Sequence, residues 1–332
     1  MLRPIFFWQY LGIMSSLGFS QQEVLADTGI TPEAMDDPNY YISFDRYLRL
    51  FNNIDRFGSL PALGLEIGLR SRALDAGILS HATLASKSLR HAIEELWNRY
   101  GRRCGMLSSI RIADAGSELA TIEISLPFLS TAARRLIVES NLCRIAMHGN
   151  YTSGTEDGPV FRHIFFPFAA PDYHKRYEEV FRCPVSFNAP RAQVVVNRSW
   201  LERPLKTQNE ARFFYYRHRL LQIDHRLQSI CPMADRVKEE LLLSGSAELP
   251  SRDELANELG LSVRTLSRLL KANGTCYRTL VDEVRLERSL IGVGGARGAT
   301  KEIAASAGYR DVNAFRRAFK KWTKQTVGSY LA

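Results

Sequence analysis

The stretch "SRDELANELGLSVRTLSRLLKANG", residues 251–274, decides how the last third of the chain folds. Ser251 is placed to cap a helix, with Glu254 three residues on as its capping-box partner, and Leu255, Ala256 and Leu259 make one apolar face. Gly260 ends that helix. After a short turn Ser262 caps a second helix, whose inward residues are Val263, Leu266, Leu269 and Leu270. Arg264, Thr265, Ser267, Arg268 and Lys271 are left facing outward. Two short helices joined through glycine, the second with a polar basic outer face, predict a helix-turn-helix.

The plan recurs in "TKEIAASAGYRDVNAFRRAFKKW", residues 300–322. Ile303, Ala304 and Ala307 lie on one helix, Gly308 makes the turn, and Phe315, Ala318, Phe319 and Trp322 form a stripe on the next. The aromatics pack against the first helix of the pair. Asn313, Arg316, Arg317, Lys320 and Lys321 are left on the opposite face, a width and polarity suited to the major groove of B-DNA. One basic amphipathic helix is more often a solvated, membrane-surface or partner-binding face. Two such pairs about 50 residues apart, joined by the long helical run "CYRTLVDEVRLERSLI", point to DNA instead.

Charge agrees with this reading. The chain of 332 residues carries a net charge of +9. From Arg236 onward there are 17 Lys plus Arg against 11 Asp plus Glu, so most of the excess sits in the last third, where it attracts polyanions. The length predicts two domains. Five scattered cysteines without a C-x-x-C pair argue against a disulfide framework or a zinc site and for a reducing cytoplasm. The apolar stretch in the first 20 residues is interrupted by Gln9 and Tyr10, so a signal peptide is not expected, and no segment approaches the ~18 apolar residues of a membrane span.

Upstream, the period varies. Short helices are expected over "FFWQYLGIMSSLG", "SQQEVLADTG", "TPEAMDD", "SFDRYLRLFNNIDRFG", "ALGLEIGLR" and "SKSLRHAIEELWNRYG". "MLSSIRIADAGSELATIEISL" alternates about an Asp-Ala-Gly turn and predicts a hairpin. "TAARRLIVESNLCRIAMHG" reads as helix, "PVFRHIFFPF" as strand, "PDYHKRYEEVF" as helix and "AQVVVN" as strand. A helix from about Glu202 to Gln228 leads into "SICPMADR", the expected linker, which divides the chain into an α+β domain, 1–231, and an all-α domain, 232–332. Beyond it all is expected to be helical except a glycine-rich joint, "GVGGARGA". Trp8, Trp97, Tyr100 and Phe128 read as core packing, and no ligand-binding residues stand out.

No H-E-x-x-H, G-x-S-x-G or Walker-type motif occurs, and the seven histidines are dispersed, so neither a catalytic set nor a metal site nor a cofactor is expected.

Residues 235–330 resemble the DNA-binding domain of the AraC/XylS family of bacterial transcription regulators: "LANELGLSVRTLSRLLKANG" its first helix-turn-helix, "YRTLVDEVRLERS" its connecting helix and "EIAASAGYRDVNAFRRAFKKWT" its second. Upstream, "LPALGLEIG", "FRCPVSFNAPRAQVVV" and "LERPL" resemble the sensory or dimerisation domain of a branch that includes ornithine-utilisation regulators. The resemblance implies an N-terminal α+β sensory/dimerisation domain and a DNA-binding domain with two helix-turn-helix units, 251–274 and 300–323, joined by a long helix. It implies base contacts from Arg264, Ser267, Arg268, Asn313, Arg316 and Arg317. Phosphates would fall to Ser262, Thr265, Lys271, Lys320 and Lys321. An activator is implied, with a small-molecule effector, RNA polymerase and a homodimer as partners beside double-stranded DNA. A ligand-independent dimeric regulator and an N-terminal enzyme with a DNA-binding tail are the alternatives.

The sequence departs from the family at Gly292 and Val293, where a leucine pair is usual, and at Thr300, Tyr309, Lys324 (usually Gly) and Val327 (usually Pro). Glycine costs a helix about 1 kcal/mol relative to alanine, which predicts that the second unit is the looser reader.

Overall fold

The computed structural model describes residues 5–32, 40–54, 61–72, 74, 77–116, 118–126, 129, 131–153, 160–244, 248–295 and 300–331. The chain opens on short helices: α1 (Ile5–Ser16), α2 (Gln21–Leu25), α3 (Phe44–Ile54), α4 (Leu63–Arg70) and α5 (Ile78–Ala85). Ser20 and Glu23 form a capping box at α2, each satisfying a backbone donor the helix leaves free. The helix expected over "TPEAMDD" falls mainly on residues 33–39, outside the described ones. Helix α6 (Leu89–Ala92) passes through a π-helical stretch, Ile93–Trp97, into α7 (Asn98–Tyr100), and a 3-10 turn follows at Arg102–Cys104.

The expected hairpin is β1 (Ser109–Ala115) and β2 (Leu119–Ser125), followed by α8 (Thr131–Ser153), β3 (Phe161–Phe165), α9 (Lys175–Phe181), β4 (Val185–Ser186) and β5 (Ala192–Asn197). The sheet order is β1-β2-β5-β3-β4, antiparallel except for the β3–β4 pair. Ala120 lies opposite Val196, Ile122 opposite Val194 and Ile124 opposite Ala192, so one face of the two central strands is apolar and buried.

Helix α4 reaches α8 at glycine. A methyl group added at Gly64 would lie 2.5 Å from Glu139 Oε2, and one at Gly68 would overlap Cys143 Cβ. This close seam buries Glu139 to 1% exposure, and the hydroxyls of Tyr173 (2.9 Å) and Tyr177 donate to its Oε1. Burial pushes the Glu139 carboxyl above its ordinary range, and the tyrosine donors offset part of that rise.

The single helix expected from Glu202 is two: α10 (Arg198–Glu202) and α11 (Glu210–Ile230). Pro204 cannot supply a helical N–H, and Asn209 restarts the helix by accepting from the N–H of Arg212. After Pro232 comes α12 (Met233–Leu243), which is tied back to the N-terminal part by charge. Arg103 Nε donates to Asp224 Oδ1 of α11 at 3.1 Å, and its Nη1 donates to both oxygens of Glu239 at 3.2 and 3.3 Å. Beside it, Arg102 Nη1 reaches Glu240 at 3.0 Å. Burial pulls the Arg103 guanidinium down, but the two carboxylates outweigh it and raise its pKa.

The remaining elements are helical: α13 (Arg252–Glu258), α14 (Val263–Ala272), α15 (Tyr277–Gly295), α16 (Thr300–Ser306), α17 (Val312–Thr323) and α18 (Val327–Leu331). One buried apolar cluster runs from the N-terminal helices and sheet through Val237 and Leu241 into Leu255, Leu266 and Val284. Among the described residues, a second cluster holds Ile303, Ala304, Ala307, Phe315, Phe319 and Val327. The expected break at Gly292 is absent, because α15 continues through Gly295; the rest of that joint, 296–299, lies outside the described residues.

Candidate nucleic-acid interface

The local chemistry of α13 and α14 follows the sequence closely. Ser251 Oγ accepts from the N–H of Glu254 at 3.2 Å, and the Glu254 carboxylate takes the N–H of Ser251 at 2.7 Å. The backbone N–H and the side chain of Ser251 hold the Glu254 carboxyl below its usual range. Gly260 then turns the chain at φ +67°, a conformation that glycine adopts without strain. Ser262 caps α14, and its hydroxyl also pairs with that of Thr265 at 2.8 Å. Leu266 and Leu270 are buried, whereas Val263 and Leu269, expected inward, are only half-buried.

Arg264, Ser267, Arg268 and Lys271 are all exposed, and their spacing puts them on one face of α14. Thr265, expected outward, is half-buried. Next to this face opens a groove of about 610 Å³, lined among others by Ser267, Lys271, Arg252 and Arg278. Arg252 and Arg278 escaped the sequence reading because each stands outside the α14 period. The signal that finds them is position: one follows the Ser251 cap directly, and the other lies at the start of α15.

Asp311 caps α17 by accepting from the N–H groups of Asn313 and Ala314, both at 3.0 Å, and these bonds hold its carboxyl below the usual range. Phe315 and Phe319 are fully buried. Tyr309 packs on Phe315 and Trp322 with ring centroids 5.7 and 6.2 Å away. Asn313, Arg316, Arg317, Lys320 and Lys321 are all exposed on the opposite face. Lys324 ends the helix at φ +62°, in the left-handed region where glycine is at home.

Helix α15 reaches the turn between α16 and α17 on one side and the end of α12 on the other. Arg285 lies 4.9 Å over the ring of Tyr309, a cation–π contact to the turn between α16 and α17. The wholly buried Arg288 donates from Nη2 to the carbonyls of Leu241 (3.1 Å) and Ser244 (2.6 Å), which closes the C-terminus of α12. Burial pulls its guanidinium down to about 10. All five cysteines are free, and among the described residues no cluster of three or more His, Cys, Asp or Glu is placed to hold a metal. No helix among the described residues is long and apolar enough to cross a membrane.

Residues 18–205 match the family described as the arabinose-binding domain of AraC transcription regulator, N-terminal, and residues 255–332 match a helix-turn-helix domain. Over 322 residues the chain is 29% identical to the ornithine utilization regulator of Pseudomonas aeruginosa, covering 96% of this chain and 93% of that one. The regulator VqsM of the same organism is 31% identical over 96 residues, 29% of this chain and 30% of its own. Among solved structures, the transcriptional regulator CdpR from Pseudomonas aeruginosa aligns over 98% of both chains at 20% identity, with a TM-score of 0.47. Both of the curated relatives are named as regulators.

Proposed function

Because the chain belongs to the AraC family of transcription regulators, we propose that it binds operator DNA through two helix-turn-helix units, 251–274 and 300–323. On this reading the chain divides at Pro232, and α14 and α17 enter successive major grooves about one helical turn, or 34 Å, apart. The observation that carries it is the pair of exposed, basic faces on α14 and α17, each backed by a buried apolar stripe.

Arg264, Ser267 and Arg268 read bases in one groove, and Asn313, Arg316 and Arg317 in the next. Lys271, Lys320 and Lys321 hold phosphates, with Arg252 and Arg278 beside Lys271 in the groove. Ser262 and Thr265 meet the backbone less directly, since their side chains already serve the α14 cap. The N-terminal domain senses a small molecule and pairs protomers, and the DNA-bound regulator activates RNA polymerase in the cytoplasm.

The small cluster behind α17 supports a looser second reader, because among the described residues α13 and α14 share the main core and α16 and α17 do not. Genomic footprinting tests the whole reading: two contact blocks one turn apart upstream of an operon are expected, and diffuse salt-labile binding would overturn it. At a mapped operator, a lost bidentate arginine contact is worth about 1–3 kcal/mol, roughly 5- to 150-fold in affinity. Arg264→Ala should weaken binding more than Arg317→Ala; equal losses, or the reverse order, would remove the argument for a looser second unit.

A further inference from the structure

Between the N-terminal domain and α12 lies a cavity of about 230 Å³. Trp97, Met106 and Leu243 give it apolar wall, Ser108 and Ser125 give it hydroxyls, and Arg102 is the one charged residue among the described residues that line it. Trp97 is held in place by its indole N–H, which donates to Thr83 at 2.6 Å. Arg102 spends only Nη1 on Glu240, reaching its two oxygens at 3.0 and 3.3 Å. Its Nη2 and Nε meet no acceptor among the described residues.

A guanidinium with a free edge, in a cavity whose lining holds no acid, selects a carboxylate, which it grips through two parallel N–H···O bonds. The volume bounds the rest of the ligand. It equals about eight waters at ~30 Å³ each and falls below the roughly 300–1,000 Å³ of drug-sized sites. We propose that this cavity is the effector site, and that it takes a small monocarboxylate of amino-acid or short-chain-acid size. The carboxylate lies on Nη2 and Nε of Arg102, and the body rests on Trp97, Met106 and Leu243.

The position matters as much as the chemistry. Leu243 is the last residue of α12, so the ligand touches the first helix beyond Pro232. Its carboxylate also shares Arg102 with Glu240 of the same helix. Ligand and α12 are therefore linked through one side chain. This deepens the regulator reading and rests on it for its purpose, but the site itself is tested without DNA.

The full chain is titrated with 4-methylvalerate, phenylacetate and leucine, each against its amide, by calorimetry and by tryptophan fluorescence. At least one carboxylate is expected to bind saturably and tenfold or more tighter than its amide. Arg102→Gln should abolish that preference. Ser125→Phe, a change at an exposed residue of the rim, should block binding, with circular dichroism and melting reporting that both variants fold. If no acid outbinds its amide, or if the preference survives Arg102→Gln, the proposal falls. Either failure would leave the operator footprint, and with it the regulator reading, unaffected.

Discussion

Replacing Arg103 by methionine should loosen the seam between the N-terminal domain and α12. In the native chain one guanidinium serves two carboxylates, Asp224 at 3.1 Å and Glu239 at 3.2 Å. The Glu239 side chain is 2% exposed, and those of Arg103 and Asp224 are each 17% exposed. Removing one partner of a buried pair costs about 3–5 kcal/mol, because the remaining charge stays buried and loses its charged partner. Here the low end applies, about 3 kcal/mol, since water still reaches Arg103 and Asp224. At 2–4 °C per kcal/mol, the melting midpoint should fall by about 6–12 °C.

The diagnostic variant is the double one. Arg103→Met with Glu239→Gln removes the stranded charge and should recover most of the loss, a coupling that a double-mutant cycle measures directly. Arg103→Lys should lie between, because a point charge cannot grip both carboxylates as the fork does. Differential scanning fluorimetry and urea titration of five proteins suffice: the parent, Arg103→Met, Glu239→Gln, the double variant and Arg103→Lys. If Arg103→Met melts within 1–2 °C of the parent (~0.5 kcal/mol by the same conversion), or the double variant is no more stable than the single one, the reasoning about this seam is wrong.

Three further outcomes are expected. Gly64→Ala forces a methyl group to 2.5 Å from Glu139 Oε2 and should destabilise by about 1–3 kcal/mol through overpacking; an unchanged urea midpoint would show that the α4–α8 seam yields. Asp311 has a depressed folded pKa, so its cap contributes fully above the ordinary carboxylate value of ~3.9 and is lost as pH falls through the folded one. The stability gap between the parent and Asp311→Ala should thus hold from pH 7 to about 5 and close below about 4, whereas a gap closing by pH 6 would implicate another group. Lys324→Gly relieves a left-handed residue at φ +62° and should stabilise the terminal helices by about 0.5–1 kcal/mol net, read as slower amide exchange in α17; faster exchange would count against it.

What was legible in the sequence was what is local. The Ser251–Glu254 box, the Gly260 turn and the aromatic stripe of α17 each lie within a few residues of their partners, and all are realised. The Asp-Ala-Gly hairpin was legible for the same reason. The helix expected from about Glu202 is broken at Pro204, which has no N–H to donate, and restarts at Glu210. At Gly292 to Gly295 propensity predicted a break, and the helix continues, as tertiary context often overrides a cost of about 1 kcal/mol per residue. Strand β4 has two residues and leaves no period to detect. The charged seam pairs Arg102 and Arg103 with residues more than 120 positions away, and Glu139 finds its tyrosines more than 30 away; no spacing rule reaches that far. Trp97, read as core, packs against the main core and lines the cavity as well.

The independence of the terminal cluster has a consequence for how this protein changes over time. Phe315, Phe319 and their four buried neighbours answer sterically to one another, while the main core answers to the N-terminal helices, the sheet and α12 to α15. Substitutions that retune the surface of α17 therefore put little strain on the rest of the chain. Changes on α14 act on a helix whose inner face is part of the main core. Selection can redraw one half of the basic surface almost freely while the other half stays bound to the history of the whole molecule.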